Sequence, residues 1–337
     1  MSTLHPRSPH PFSGYIRTLG RGKKSTRSLD LDEAYDAMRM ILAGHVEPEQ
    51  LGAFLMLLRV KEESPEELAG FTRSIRDALN TPNTELSVDL DWSSYSGKRK
   101  QPPWFILSAL ALSQSGVRIL MHGSEGHTES RIYTQSMLNA LGIPTATSWD
   151  NANAQLNASS FAYLPLSYMC PQLEQLIHLK SLLGLRSPIN TLVRMINPCS
   201  APHSISSVFH PAYTALQTHA HQHLSQPHFC VFKGDGGEIE ARPEADTKVT
   251  VLHDDTISTQ SWSRLTPNKP PVHDVLTLSH CTTELTAVWA GAHNEYALHS
   301  ILQTLSIGVQ LLNPALTTEQ AQARAHIVWQ QRDLSAI

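Results

Sequence analysis

The sequence predicts an α/β protein, with a small N-terminal helical domain ahead of a larger α/β domain built on a mostly parallel central sheet. Two observations carry this reading. Residues 14–80 repeat apolar side chains at helical spacing between capping signals. From Glu85 onward short β-like runs alternate with helical stretches, the texture of βαβ units. A length of 337 residues allows one large or two ordinary domains.

Taken in order, residues 1–13 are rich in Pro, His and Ser and are expected to be a flexible tail. Asp30 to Ala43 places Leu31, Ala34, Met38, Ile41 and Leu42 on one helical face, with Asp30 or Asp32 as N-cap and Gly44 as the stop. Pro48 opens a second helix to about Val60. Ser64-Pro65-Glu66-Glu67 has the form of a capping box, so a third helix runs from there to about Asn80. Strands are expected at 86–90, 117–121, 160–164, 228–232, 248–252 and 285–289. Helices are expected at 103–115, 130–141, 171–183, 188–195, 209–224, 294–307 and 317–332. The expected domains are 14–84 and 85–337, after the tail.

Charge is unevenly distributed. Residues 1–29 hold Arg7, Arg17, Arg21, Lys23, Lys24 and Arg27 and no acid. With Lys98, Arg99 and Lys100, nine of the 26 cations lie in two short segments, leaving 17 against 30 acids elsewhere, a net of -13. Such segregation suggests a basic patch for a polyanion on an acidic body. Four cysteines without a C-x-x-C motif read as reduced core thiols of a cytoplasmic protein. There is no secretory h-region, and the longest apolar run, around 104–112, is too short to span a bilayer, so no membrane partner is expected.

The three cations sit in Gly97-Lys98-Arg99-Lys100-Gln101-Pro102-Pro103-Trp104, between a strand and an apolar helix. Such junctions bind phosphate in α/β proteins, usually through glycine-rich backbone. This one offers charged side chains and prolines. Gly20-Arg21-Gly22-Lys23-Lys24-Ser25-Thr26 fails as a Walker A loop, because Arg17 stands where the first glycine belongs and no strand precedes it. Met121 to His127 follows a strand; His122 and His127 are either phosphate donors or packing residues, and Arg131 can add to the same surface. Lys233-Gly234-Asp235-Gly236-Gly237-Glu238-Ile239-Glu240 is either a Mg²⁺-holding loop or a surface turn. His219, His221 and His223 lack a completing ligand for a metal site.

The order of motifs is familiar. Gln50 to Arg59 with Ser64 to Gly70, then His122-Gly123, Leu138 to Ile143, Leu183 to Asn190 and Asn197-Pro198, resembles the anthranilate phosphoribosyltransferase and pyrimidine nucleoside phosphorylase superfamily, over about residues 14–332. The resemblance implies an active cleft between the two domains, helices near 171–195 joining the helical domain, and a homodimer formed through it. It also marks departures. The family's Gly-Thr-Gly-Gly-Asp pyrophosphate loop becomes Ser94 to Lys100, with Gly97 alone able to serve the same backbone role. Its Lys-His-Gly-Asn becomes Met121-His122-Gly123-Ser124, and its Mg²⁺-binding Asp-Glu becomes Gly237-Glu238. Arg186 and Asn190 remain.

This set of replacements is similar to the YbiB-like branch, which the resemblance associates with nucleic-acid binding, without sequence preference, and with loss of the biosynthetic activity. The expectation is therefore a binder of single- or double-stranded nucleic acid through Arg17, Arg21, Lys23, Lys24, Arg27, Lys98, Arg99, Lys100 and Arg131, with Trp104 able to stack a base. Gly97, His122, Gly123, Ser124, Arg186 and Asn190 would line a vestigial cleft. No catalytic residue or cofactor is expected. The alternative is an active phosphoribosyltransferase or nucleoside phosphorylase with an altered donor site, in which Glu238 would hold Mg²⁺.

Overall fold

The computed structural model describes residues 9–22, 25–79, 86–269 and 275–337. The N-terminal part is helical: α1 (Ser13–Gly20), α2 (Leu31–Leu42), α3 (Pro48–Lys61) and α4 (Pro65–Ala78). The expected caps form. Asp30 accepts from the Glu33 amide while Glu33 reaches back to the Asp30 amide, and Ser64 and Glu67 do the same for α4. Glu67 is fully buried and also takes the Leu29 amide and the Lys61 ammonium, which fastens the α1–α2 connection to α4.

The α/β part runs β1 (Leu90–Ser94), α5 (Phe105–Gln114), β2 (Ile119–Gly123), α6 (Thr134–Ala140), α7 (Trp149–Ser159), β3 (Phe161–Pro165), α8 (Leu166–Met169), α9 (Pro171–His178), α10 (Lys180–Leu183), α11 (Ile189–Leu192), β4 (His203–Val208), α12 (Ala212–His223), β5 (His228–Lys233), β6 (Thr247–His253), β7 (Thr256–Trp262), α13 (Leu278–Trp289), α14 (Glu295–Leu312) and α15 (Thr318–Gln330). The sheet order is β3-β2-β1-β4-β5-β6-β7. The first five strands in that order are parallel; β6 and β7 are antiparallel. The strand order reverses at β1 and β4, so the crevice beyond their C-terminal ends is where such a fold accepts a ligand.

Two large cores flank the sheet. One packs α5, α13, α14 and α15 on one face. The other joins α1–α4 to α9 and α11 and to the opposite face through Leu120, Ala162 and Leu164. The α2–α4 contact is close because Gly70 has no side chain: a Cβ there would lie 2.2 Å from the Leu31 carbonyl oxygen. The four cysteines are free, and burial pushes the Cys199 and Cys281 thiols up to about 12. Among the described residues no helix is long and apolar enough to cross a membrane.

Several elements depart from the expected ones. The first strand lies at Leu90–Ser94 instead of 86–90 because its polar residues are buried and bonded: Asp91 accepts from Ser204 and pairs with His122, and the Ser94 hydroxyl donates to Glu238 and pairs with Thr134. β4 was not anticipated for the same reason; Ser204, Ser206 and Ser207 donate to Asp91, Gln217 and the Gly237 carbonyl. Residues 285–289, expected as a strand, are the last turn of α13, whose Cys281, Leu285, Val288 and Trp289 form one buried helical face. β7 and α7 were also missed. β7 is a polar edge strand behind an Asp254-Asp255 turn with φ +42° and +67°; α7 is N-capped by Ser148.

Gly70→Ala is expected to lower stability by about 1–3 kcal/mol through overpacking. Gly52→Ala, on α3 with open space around it, should raise stability by roughly 0.5–1 kcal/mol. Urea unfolding of both variants checks the contrast.

Candidate ligand cleft and a self-occupied anion site

The loop after β1 folds back on the segment 234–241, which follows β5. The amides of Ser96 and Gly97 both donate to Oε1 of Glu238, each at 2.5 Å. Ser94 Oγ donates to the other oxygen at 2.9 Å. Glu238 is fully buried. The approach needs Gly237, which has φ +89° and whose Cβ would lie 2.7 Å from Ser96 Oγ. The backbone cradle at Gly97 is therefore present, and its anion is the protein's own carboxylate.

A second carboxylate fills the other anion position of the junction. Glu240 accepts the Phe105 amide, 2.9 Å away, at the N-terminus of α5, where the helix dipole favours negative charge. It also takes the ammonium of Lys98 at 2.5 Å, and Asp235 binds the same ammonium. Lys98 is only 1% exposed. This corrects the expectation of three protruding cations: Lys98 points inward and is consumed by two acids, whereas Arg99 and Lys100 are exposed. Two carboxylates share one ammonium, so one of them gains from a proton. Burial is the main cause that raises Glu240 to about 7, against the pull of Lys98 and with Asp235 adding to the rise. Asp235 is half-buried, and although that burial acts to raise it, Lys98 holds it below the ordinary carboxylate range.

Two guanidiniums brace the same loop, and Arg186 lies nearby in the cleft. Arg131 donates to the Ser96 and Gly97 carbonyls, both at 2.9 Å. Arg194 donates to the Gly237 carbonyl and to Ser96 Oγ. Burial lowers Arg186, and neighbouring Arg131 lowers it further. Arg131 is thus a loop clamp and not a free phosphate contact. Trp104 is 2% exposed, the N-cap of α5 and part of the sheet core; base stacking by it is excluded in this fold.

Beside this loop lies a cleft of about 170 Å³ at the β1–β4 reversal. Arg59 and Glu63 come from the α3 end, Arg186, Asn190 and Arg194 from the α11 region, and Tyr95, Ser96, Phe209 and Tyr213 from the sheet side. Of the expected cleft residues, Arg186 and Asn190 line it. Gly97 is occupied by Glu238. His122 is fully buried between Tyr95 Oη, 2.7 Å from Nδ1, and Asp91, 3.1 Å from Nε2. Gly123 packs against the Ser94 carbonyl and Tyr163. Ser124 donates to Glu174 at 2.8 Å. These three are packing residues. His127 is buried, and burial lowers it to about 4, leaving it neutral near pH 7.

Glu238 is already engaged through both oxygens, and Gly237 supplies no side-chain ligand. The residues present therefore do not fit a carboxylate-held Mg²⁺, which needs free oxygen ligands in an octahedral set. Of the basic N-terminal residues, Arg17 and Arg21 are exposed, and Arg27 forms a bidentate pair with Glu33 at 2.6 and 2.7 Å. Lys23 and Lys24 lie outside the described residues. Arg59, Arg194 and the Lys98–Asp235–Glu240 cluster were missed. The acids of 233–240 were visible in sequence as a candidate ion loop, but nothing local revealed that their cation would be Lys98.

Residues 13–79 match the helical bundle domain of the glycosyl transferase family, and residues 106–306 match its a/b domain. The chain belongs to the anthranilate phosphoribosyltransferase superfamily. It is 28% identical over 242 residues to the uncharacterized protein YbiB of Escherichia coli, covering 70% of this chain and 75% of that one. It is 27% identical over 233 residues to the anthranilate phosphoribosyltransferase of Geobacillus kaustophilus, covering 68% of each. The structure of the Thermus thermophilus anthranilate phosphoribosyltransferase superposes with a TM-score of 0.78 at 20% identity, covering 95% of this chain and 94% of that one. The fold of this superfamily member is thus that of the transferases, with a helical N-terminal domain and a larger α/β domain.

Removing the Glu238 carboxylate should free the loop amides. Glu238→Ala is expected to cost about 1–3 kcal/mol for each buried donor left unpaired, and millimolar pyrophosphate should raise its melting temperature while leaving the wild type unmoved. Glu240 gives a pH test. Its folded pKa of about 7 lies above the ordinary 4.5, so the folded state holds the extra proton between these values. Stability from this group is present below 4.5 and declines as pH rises to about 7. Glu240→Gln should remove that decline, seen as a shallower change in unfolding free energy between pH 5 and 7.5.

Proposed function

We propose that this chain binds nucleic acid without sequence preference, on a phosphoribosyltransferase-like fold that does not take phosphoribosyl pyrophosphate. The observation that supports the second half is Glu238 on the Ser96 and Gly97 amides, with Glu240 on the α5 N-terminus. A diphosphate arriving there meets two buried carboxylates, and the nearby Lys98 is already paired with Asp235 and Glu240. Pyrophosphate binding would require breaking those bonds and burying like charges together.

The nucleic-acid half rests on the exposed cations that remain: Arg17, Arg21, Arg99 and Lys100. They have no ion-pair partner recorded among the described residues, in contrast to Arg27 and Lys98. In a homodimer this set would be doubled, which lengthens the surface for a polymer backbone. Contacts of this type go to phosphate and carry no sequence information.

A second reading is favoured by one feature: the 170 Å³ cleft with Arg59, Arg186 and Asn190 remains open. That would suit a small anionic substrate of a transferase-like enzyme. Calorimetry separates the two. With phosphoribosyl pyrophosphate and Mg²⁺ no Mg²⁺-dependent heat is expected, and clear binding would turn the assignment to the enzyme. With oligonucleotides of unrelated sequence, similar affinities are expected, and log affinity against log salt should fall with a slope of about -3 to -4 per protomer if four phosphates are neutralised. The double variant Arg99→Ala/Lys100→Ala should lower affinity for all sequences alike and flatten the slope by about two contacts. Salt-independent affinity would sink the nucleic-acid reading.

A further inference from the structure

At the sheet edge opposite the cleft, three histidines align across neighbouring strands. His203 opens β4, His228 opens β5 and His253 closes β6; the register pairs His203 with His228 and His228 with His253. Their rings stack in sequence, with centroids 4.8 Å and 4.7 Å apart and planes within 23°. The adjoining residue in the β6–β7 turn is the exposed Asp254, whose Oδ2 lies 3.5 Å from His253 Nε2, the ring nitrogen that does not face His228, so its side chain must swing to reach an ion held at the Nδ1 atoms. One ligand atom from each of His228, His253 and Asp254 lies within 4.8 Å of the others, a convergence that His219, His221 and His223 do not make.

The geometry points to a divalent transition-metal site formed by His228, His253 and Asp254. The Nδ1 atoms of His228 and His253 are 2.8 Å apart. Two lone pairs repel at that distance, so one nitrogen must carry a proton in the metal-free protein. A cation between them takes both lone pairs and releases that proton. With metal–nitrogen bonds of about 2.0–2.1 Å, two ligands at a right angle sit about 2.9 Å apart, and at a tetrahedral angle about 3.3–3.4 Å. The observed spacing suits the right-angled positions of Ni²⁺ or Cu²⁺, and Zn²⁺ after opening by about half an ångström.

Two surrounding features favour a built site. His203 Nδ1–H donates to the Asp89 carbonyl at 3.0 Å, which fixes its ring as the wall against which His228 stacks. A cavity of about 20 Å³ adjoins His228 and His253 and is also lined by Gln260 and Gln310. That is room for one water molecule able to complete a coordination shell. The chemical class is a mononuclear ion with two nitrogen ligands, one carboxylate oxygen and water. A site on this edge is remote from the loop after β1, so its role is in fastening the β5–β6–β7 edge.

The test uses the full chain freed of any affinity tag and treated with a chelator. Titration calorimetry with Ni²⁺ and Zn²⁺ should show one saturable site per chain. His253→Gln, at the half-exposed end of a hairpin, and His228→Gln should each weaken binding by more than the roughly tenfold typical of outer-shell changes, while His219→Gln should not. Cu²⁺ loaded into the wild type should give an electron paramagnetic resonance spectrum with two coupled nitrogens, reduced to one in His253→Gln. Thermal melting in chelator establishes that each variant is folded. No saturable binding, or affinity unchanged in His253→Gln, overturns the assignment and leaves the pair as a proton-sharing hydrogen bond.

Discussion

The contact between Glu238 and the amides of Ser96 and Gly97 organises the functional end of this molecule. It joins the loop after β1 to the loop after β5, two strands away, and everything around it adapts. Gly237 must be a glycine for the loops to touch. Arg194 bridges the Gly237 carbonyl and Ser96 Oγ, and Arg131 takes the carbonyls whose amides Glu238 has engaged. Lys98 then enters the interior with Asp235 and Glu240. Each buried charge is stabilised only because the others are in place, since an unpaired one would be strongly destabilising.

This arrangement connects the departures from the family pattern. Replacing a glycine-rich loop by Ser-Tyr-Ser-Gly-Lys does not abolish the backbone cradle; it changes which anion fills it. A loop that holds a carboxylate from its own chain has its amides already paired, which is what supports the proposal that it takes no diphosphate. The neighbouring cleft is different. Its arginines face a cavity at the switch point of the sheet, where burial and then the neighbouring Arg131 lower the pKa of Arg186. The loop position is thus filled by the chain's own carboxylate, while the neighbouring cleft is open.

Much of the fold was legible because it rests on local rules. The capping boxes at Asp30 and Ser64 and the apolar runs at 119–123, 161–165 and 228–233 each announce an element through its own residues. The strands displaced or missed at the sheet's centre, β1 and β4, are those whose burial is polar. β1 and β4 carry Asp91, Ser94, Ser204, Ser206 and Ser207 into the centre of the sheet, where partners from other strands satisfy them. No hydrophobic period marks such a strand. Residues 285–289 failed in the opposite sense, since a short β-branched run looks alike in a strand and in a buried helix face.

The sequence by itself determined the superfamily, the helical-then-α/β order and the presence of cations near Gly97 and along α1. The superfamily came from resemblance in the order of its motifs; the rest follows from composition, spacing and caps, which act within a few residues of one another. Only the tertiary structure decided where the charges go. Lys98, Arg99 and Lys100 are consecutive and chemically alike, yet one is buried and two are exposed. Their fates depend on Asp235 and Glu240, more than 130 residues away. Coulomb energy and desolvation are set by distance and burial, and neither can be read from position along the chain.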